Sequence, residues 1–201
     1  MAEQARGSRT VDRVLDAALA AFAEEGLEGL TVQGIRERSG VSVGSLYHHF
    51  GSREGIALAL YQRWLLDLLD LLCAGALRTR TAKGLVRAMV EGYLDWVEAN
   101  RDAARFVLCA APAELDPRAS PSLQQAKLVR LAPLLERARQ HARAGELVEL
   151  PLPYYEMMII GPLAEISRRW LAGEPFDLAE ARRVLARSIW RALEPPAARS
   201  V

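Results

Sequence analysis

Cysteine, histidine and lysine are scarce in these 201 residues: two cysteines, three histidines, and only Lys83 and Lys127 among 26 basic side chains. Cys73 and Cys109 lie in separate apolar helical contexts with neither a CxxC spacing nor a nearby histidine. That argues against a disulfide framework and against a metal site, and both are expected to be buried thiols. His48 and His49 are adjacent, hence on different helix faces, and His141 is remote, so no nucleophile-and-base or metal-ligand spacing forms. The chain is not read as an enzyme, and no catalytic residue, metal or cofactor is expected. No apolar run approaches ~18 residues, and the opening residues MAEQARGSR lack a signal-peptide core. A cytoplasmic protein without membrane contact is expected. Excess charge is missing too: the net charge is +1, and residues 1–63 carry seven Lys or Arg against eight Asp or Glu. Any affinity for nucleic acid must come from where the cations sit and from two copies acting together. Strand signals and internal repeats are also lacking.

What is present is helical. With 51% hydrophobic and 25% charged residues the chain is long enough to bury a proper core. Its organising stretch is residues 31–54, TVQGIRERSGVSVGSLYHHFGSRE. Thr31 is an N-cap ahead of the apolar Val32 and Ile35, and Gly40 can take the left-handed conformation that ends a helix. Ser42 caps a second helix almost at once, and Ser52 a third. Two short helices joined by a glycine-containing turn form a helix-turn-helix, whose second helix lies in the DNA major groove. In that helix, residues 43–50, Leu46 and Phe50 face inward with Val41, against Ile35 and Leu30. Val43, Gly44, Ser45, Tyr47 and His48 remain outward, with His49 at the edge. Small groups followed by hydroxyl and imidazole donors suit a groove floor and its phosphate walls. The free N–H groups after Ser52, with Arg53 in the first turn, offer a further phosphate site.

The run T-V-x-x-I followed by S-G-V-S-x-G-S-L-Y-H-H-F-G-S-R-E resembles the DNA-binding domain of TetR-family transcriptional repressors, over residues 10–60. The resemblance implies that Thr31, Ser42, Ser45, Tyr47, His49 and Arg53 hold phosphates. It implies also that Gln33, Val43, Gly44 and His48 lie nearest the base edges. Two positions depart from the family pattern, which has alanine where this chain has Arg36 and Ser39. The Arg36 guanidinium either snorkels to solvent over its apolar stem or contacts a phosphate. Gly34 stands where a capping-box acid would sit, so this helix depends the more on packing.

Elsewhere residues 1–9 read as a polar tail, in which Arg6 and Arg9 would be the residues to reach a minor groove. Residues 10–25 carry Val11, Val14, Leu15, Ala18, Leu19 and Phe22 at helical intervals, ended by Gly26. A long helix follows over 52–77, apolar on more than one face in its second half. Helices are expected over 81–99, 102–111, 122–144 with a bend at Pro133, 153–172 interrupted by Gly161 and Pro162, and 177–193. Residues 112–121 are the clearest loop.

The expected fold class is all-α: a three-helix helix-turn-helix DNA-binding domain, residues 1–52, then a larger helical ligand-binding and dimerisation domain, residues 53–201. Two-fold operators are met by dimers whose reading helices sit about 34 Å apart. The last two helices carry surplus apolar surface for that contact: Met157, Ile160, Leu163, Ile166 and Trp170 on one, Val184, Ile189 and Trp190 on the other. Trp64, Tyr93, Trp96, Phe106, Tyr155 and Met158, with Tyr154 beside them, would line an apolar small-molecule site if they converge. The expected function is that of a ligand-responsive regulator, a homodimer on a palindromic or nearly palindromic double-stranded DNA operator, released by a small, largely apolar effector. The alternative is a TetR-like carrier of a lipid or other apolar ligand that has lost DNA binding.

Overall fold

The computed structural model describes residues 2–110 and 120–196. Its elements are α1 (Ala2–Glu25), a 3-10 turn (Gly26–Gly29), α2 (Val32–Ser39), α3 (Val43–Phe50), α4 (Arg53–Leu77), α5 (Ala82–Ala99) and α6 (Arg101–Arg105). A π-turn (Phe106–Ala110), α7 (Pro121–Arg143), α8 (Leu152–Leu171) and α9 (Leu178–Leu193) complete them. The fold class is all-α, and no strand occurs among the described residues. The helix starts are set by local chemistry. Thr31, Ser42, Thr81 and Asp177 each accept a backbone N–H through a side-chain oxygen, from Gly34, Ser45, Gly84 and Ala179 at 3.0, 3.3, 3.0 and 2.8 Å. Such caps contribute ~1 kcal/mol each.

Four expectations are corrected. The first helix begins at Ala2 instead of Thr10, because alanine, glutamate, glutamine and arginine in residues 2–9 propagate a helix and no proline stops it. The helix expected over 102–111 ends at Arg105 and widens into the π-turn. Phe106 and Val107 are thereby buried with Ala103 and Ala104, and Cys109 is left exposed. Only Cys73 of the two cysteines is a buried thiol. The second half of α4 is covered on one stripe, through Leu68, Leu72 and Ala76, whereas Leu71 is exposed. Most of the loop expected over 112–121 falls outside the described residues, as does the side chain of Arg6.

The chain packs as two compact units, Met1–Leu65 with Asp102–Leu123, and Leu66–Arg101 with Gln124–Val201. The first has a core of Val14, Ala18, Phe22, Ile35, Leu46, Ile56 and Leu60, closed by Phe106, whose ring meets Phe22 edge-on with centroids 5.1 Å apart. In the second, α5 packs against α8 and α9, which pack on each other. Its polar ties are specific. Trp96 donates its indole N–H to Asp67 at 2.8 Å, and Arg182 of α9 joins Asp95 and Glu98 of α5 at 2.7 and 2.6 Å.

Candidate nucleic-acid interface

Residues 31–55 form a surface whose inner side is apolar and whose outer side is polar. Val41 and Leu46 are buried in the first core with Leu30 and Ile35, and Phe50 packs against the same cluster. With these anchors inward, α3 exposes Val43, Gly44, Tyr47, His48 and His49, Ser45 being half-buried. Tyr47 is 51% exposed, although a ring of that size is usually covered. A Cβ built at Gly44 meets no atom within 4 Å. The start of α3 is therefore open ground that another molecule's surface can approach closely.

Flanking residues complete the surface. Thr31 and Gln33 are exposed at the start of α2, and Arg53 at the start of α4. Ser52 Oγ accepts from Gly55 N at 3.1 Å. Glu54 is an acid held below the ordinary carboxylate range, by its own backbone N–H first, then by the Ser52 hydroxyl and Arg53. The ten residues expected to meet DNA thus lie in one compact unit, on three successive helix starts and the outer face of α3.

The structure adds partners that the sequence reading did not assign. Gln33 Nε2 donates to Glu37 Oε1 at 3.0 Å, and Arg53 Nε to Glu54 Oε1 at 3.2 Å. Each of these donors is held by an acid on its own helix, an exposed contact that a phosphate or base can displace. Glu37 four residues after Gln33 was the available signal. Arg36 reaches the same Glu37 oxygen, at a loose 3.5 Å, with 48% of its side chain exposed. Arg38 joins Glu24 and Glu25 at 2.5 and 3.0 Å, tying α2 to the end of α1. Arg13 donates to the carbonyl of Ser39, and the Ser39 hydroxyl accepts from Val41 N at 3.2 Å.

The aromatic residues expected to line a small-molecule site divide between the units. Phe106 and Trp64 belong to the first, where Phe106 is fully buried and Trp64 packs against the same cluster. Tyr93 and Trp96 of α5 and Tyr155 and Met158 of α8 belong to the second, on helices that pack together. Tyr155 donates its hydroxyl to Val148 O, and burial pushes that phenol up. Among the described residues no group of three or more His, Cys, Asp or Glu could hold a metal ion, and no helix is long and apolar enough to cross a membrane.

Residues 14–60 match the family model for bacterial regulatory proteins of the tetR family. The chain is 30% identical to the HTH-type transcriptional regulator BetI 2 of Chromohalobacter salexigens over 85% of its own length and 82% of that protein's. The chain belongs to the TetR family. With BetI of Cronobacter sakazakii it shares 31% identity, over 88% of this chain and 87% of the relative. In fold this TetR-family chain is similar to the regulator FadR of Bacillus subtilis, solved in complex with stearoyl-CoA, with a TM-score of 0.70 and 19% identity over 88% of this chain and 96% of that one. The chain is accordingly a DNA-binding transcriptional regulator. The carrier reading gains nothing from the relatives, which are transcriptional regulators.

Proposed function

We propose that two copies of this chain bind a palindromic or nearly palindromic operator, each placing α3 in a major groove, and that a small, largely apolar effector releases them, so that the protein acts as a repressor. The observation that carries the reading is the exposed outer face of α3 above its buried Val41–Leu46 anchor. On this reading Thr31, Ser42, Ser45, Tyr47, His49 and Arg53 take phosphates, and Gln33, Val43, Gly44 and His48 face base edges. The functional division falls at residues 52 and 53, with Arg53 in the first turn beyond it still reaching DNA and the effector and dimer apparatus following.

Support for an apolar effector comes from Tyr93, Tyr155 and Met158 on the adjoining α5 and α8, and from the acyl thioester that the similarly folded FadR holds. Such a ligand lowers DNA affinity by its differential binding to two states of the dimer. The shift passes along α4, whose residues belong to both units. Dimer contact through α8 and α9 is supported by Met157 and Val184, 67% and 52% exposed. Leu163 and Ile189 belong to the subunit's own core.

The experiment is selection from a random-sequence duplex library with the full chain, followed by binding in a salt series. A two-fold symmetric preferred site is expected. Enrichment of no sequence, or of a site without two-fold symmetry, contradicts the proposal.

A further inference from the structure

We propose that Arg13, on α1 and outside the helix-turn-helix, is a positioning residue for DNA reading: its guanidinium fixes the turn that sets the angle between α2 and α3. The inference rests on the function proposed above. Four residues, 39–42, make that turn. Ser39 ends α2, Gly40 is left-handed with φ 64° and returns its N–H to Arg36 O, Val41 is buried, and Ser42 caps α3. The carbonyl of Ser39 is among the last four of α2 and has no donor within the helix. Arg13 supplies that donor from 26 residues away.

Three further observations make this a clamp on the turn itself. A Cβ built on Gly40 would stand 3.2 Å from an Arg13 terminal nitrogen, so the guanidinium lies directly against the left-handed residue. Ser39, where the family pattern has alanine, is 6% exposed, and its hydroxyl satisfies Val41 N at 3.2 Å. Carbonyl and hydroxyl of one residue are therefore both engaged, one by Arg13 and one by the chain entering α3. A cation at the C-terminus of α2 is also favoured by the helix dipole. The other tie between α1 and α2, Arg38 to Glu24 and Glu25, is made on exposed carboxylates at the end of α1.

Leverage explains why one such contact matters. Eight residues make α3 roughly 12 Å long, so a tilt of about 10° at the turn moves its far end by roughly 2 Å. Hydrogen bonds to base edges tolerate a few tenths of an ångström. Contacts to phosphates carry no sequence information and can be remade on a neighbouring phosphate of any duplex, so the shift costs them less. Loosening the turn therefore costs discrimination between sequences more than affinity for DNA in general.

The test uses the full chain and two duplexes of equal length: the one that the wild type itself selects from a random library, and an unrelated one. Arg13→Gln is expected to weaken binding to the selected duplex about tenfold, to change binding to the unrelated duplex by less than about twofold, and to leave the salt slope alone because no phosphate contact is lost. Arg13→Lys keeps a donor without the planar fork and should lower the specificity ratio about threefold. Arg38→Gln is the control, lowering the melting temperature with the ratio unchanged. An Arg13→Gln protein that melts lower but keeps the wild-type ratio overturns the proposal, and a slope smaller by about one unit makes Arg13 a phosphate contact instead. Should Arg13→Gln not fold, Arg13→Lys decides alone, and a wild-type ratio in it overturns the proposal. A wild type that selects no duplex sinks the proposed function itself. Normal selection with an unmoved ratio sinks only the role of Arg13.

Discussion

A Cβ added at Gly55 would fall inside the van der Waals envelope of the Phe50 carbonyl oxygen, the last carbonyl of α3. The first turn of α4 is thereby packed directly on the end of α3. Gly55→Ala should destabilise the protein by about 2–4 kcal/mol, since the blocking atom is backbone and cannot step aside. Gly75, in the last turns of α4, meets nothing within 4 Å, so Gly75→Ala should stabilise by about 0.5 kcal/mol through helix propensity. Thermal melts of the two variants should move in opposite directions.

The proposed division of DNA contacts makes a second pair of outcomes. Arg53→Gln should weaken binding to every sequence alike and lower the salt slope by about one unit, whereas His48→Ala and Gln33→Ala should change which sequence is selected. Because Arg53 and Gln33 are held by Glu54 and Glu37 before DNA arrives, Glu37→Gln should loosen Gln33 and alter the motif more weakly. An identical selected motif for Gln33→Ala and His48→Ala would end the assignment.

Arg36 is half-exposed, and the anion it meets among the described residues, Glu37, stands at 3.5 Å. We read Arg36 as a stem over apolar surface with its head group turned to solvent. Arg36→Ala is expected to leave the salt slope unchanged and the melting temperature equal or higher, since alanine is the better helix former. A slope lower by about one unit would make Arg36 a phosphate contact.

Dimerisation can be separated from folding by choosing positions on the right face. Met157→Glu with Val184→Glu should yield a folded monomer with much weaker operator binding. Ile189→Glu should instead unfold the subunit, because Ile189 is 4% exposed within its own core. Light scattering that still shows a dimer for the Met157/Val184 pair would reject the α8–α9 contact.

The two thiols should differ in reactivity. Burial pushes the Cys73 thiol up, with Asp70 adding to the effect, and its Sγ lies 3.4 Å from Arg130 O. Cys109 is exposed. An aromatic disulfide reagent should modify Cys109 in the folded protein and Cys73 only in denaturant. Rapid labelling that survives Cys109→Ser would contradict this burial.

The helix boundaries and the outer face of α3 were legible in the residues themselves, because the caps and the glycine stop that define them span four positions or fewer. Thr31 and Ser42 cap the helices they immediately precede, Gly40 ends α2, and the spacing of Val41, Leu46 and Phe50 settles which side of α3 turns inward. The helical periodicity of the rest was sufficient for the fold class in the same way. Only tertiary structure decided which of several apolar stripes meets a neighbour. Leu163 and Ile189 went to the subunit's own core while Met157 and Val184 stayed outside, and Phe106 found Phe22. Periodicity tells that a face is apolar and not what covers it. The contact of Arg13 with Ser39 is of the same kind: a guanidinium on one helix and a carbonyl at the end of another carry no shared local pattern, and the packing of α1 on α2 alone brings them together.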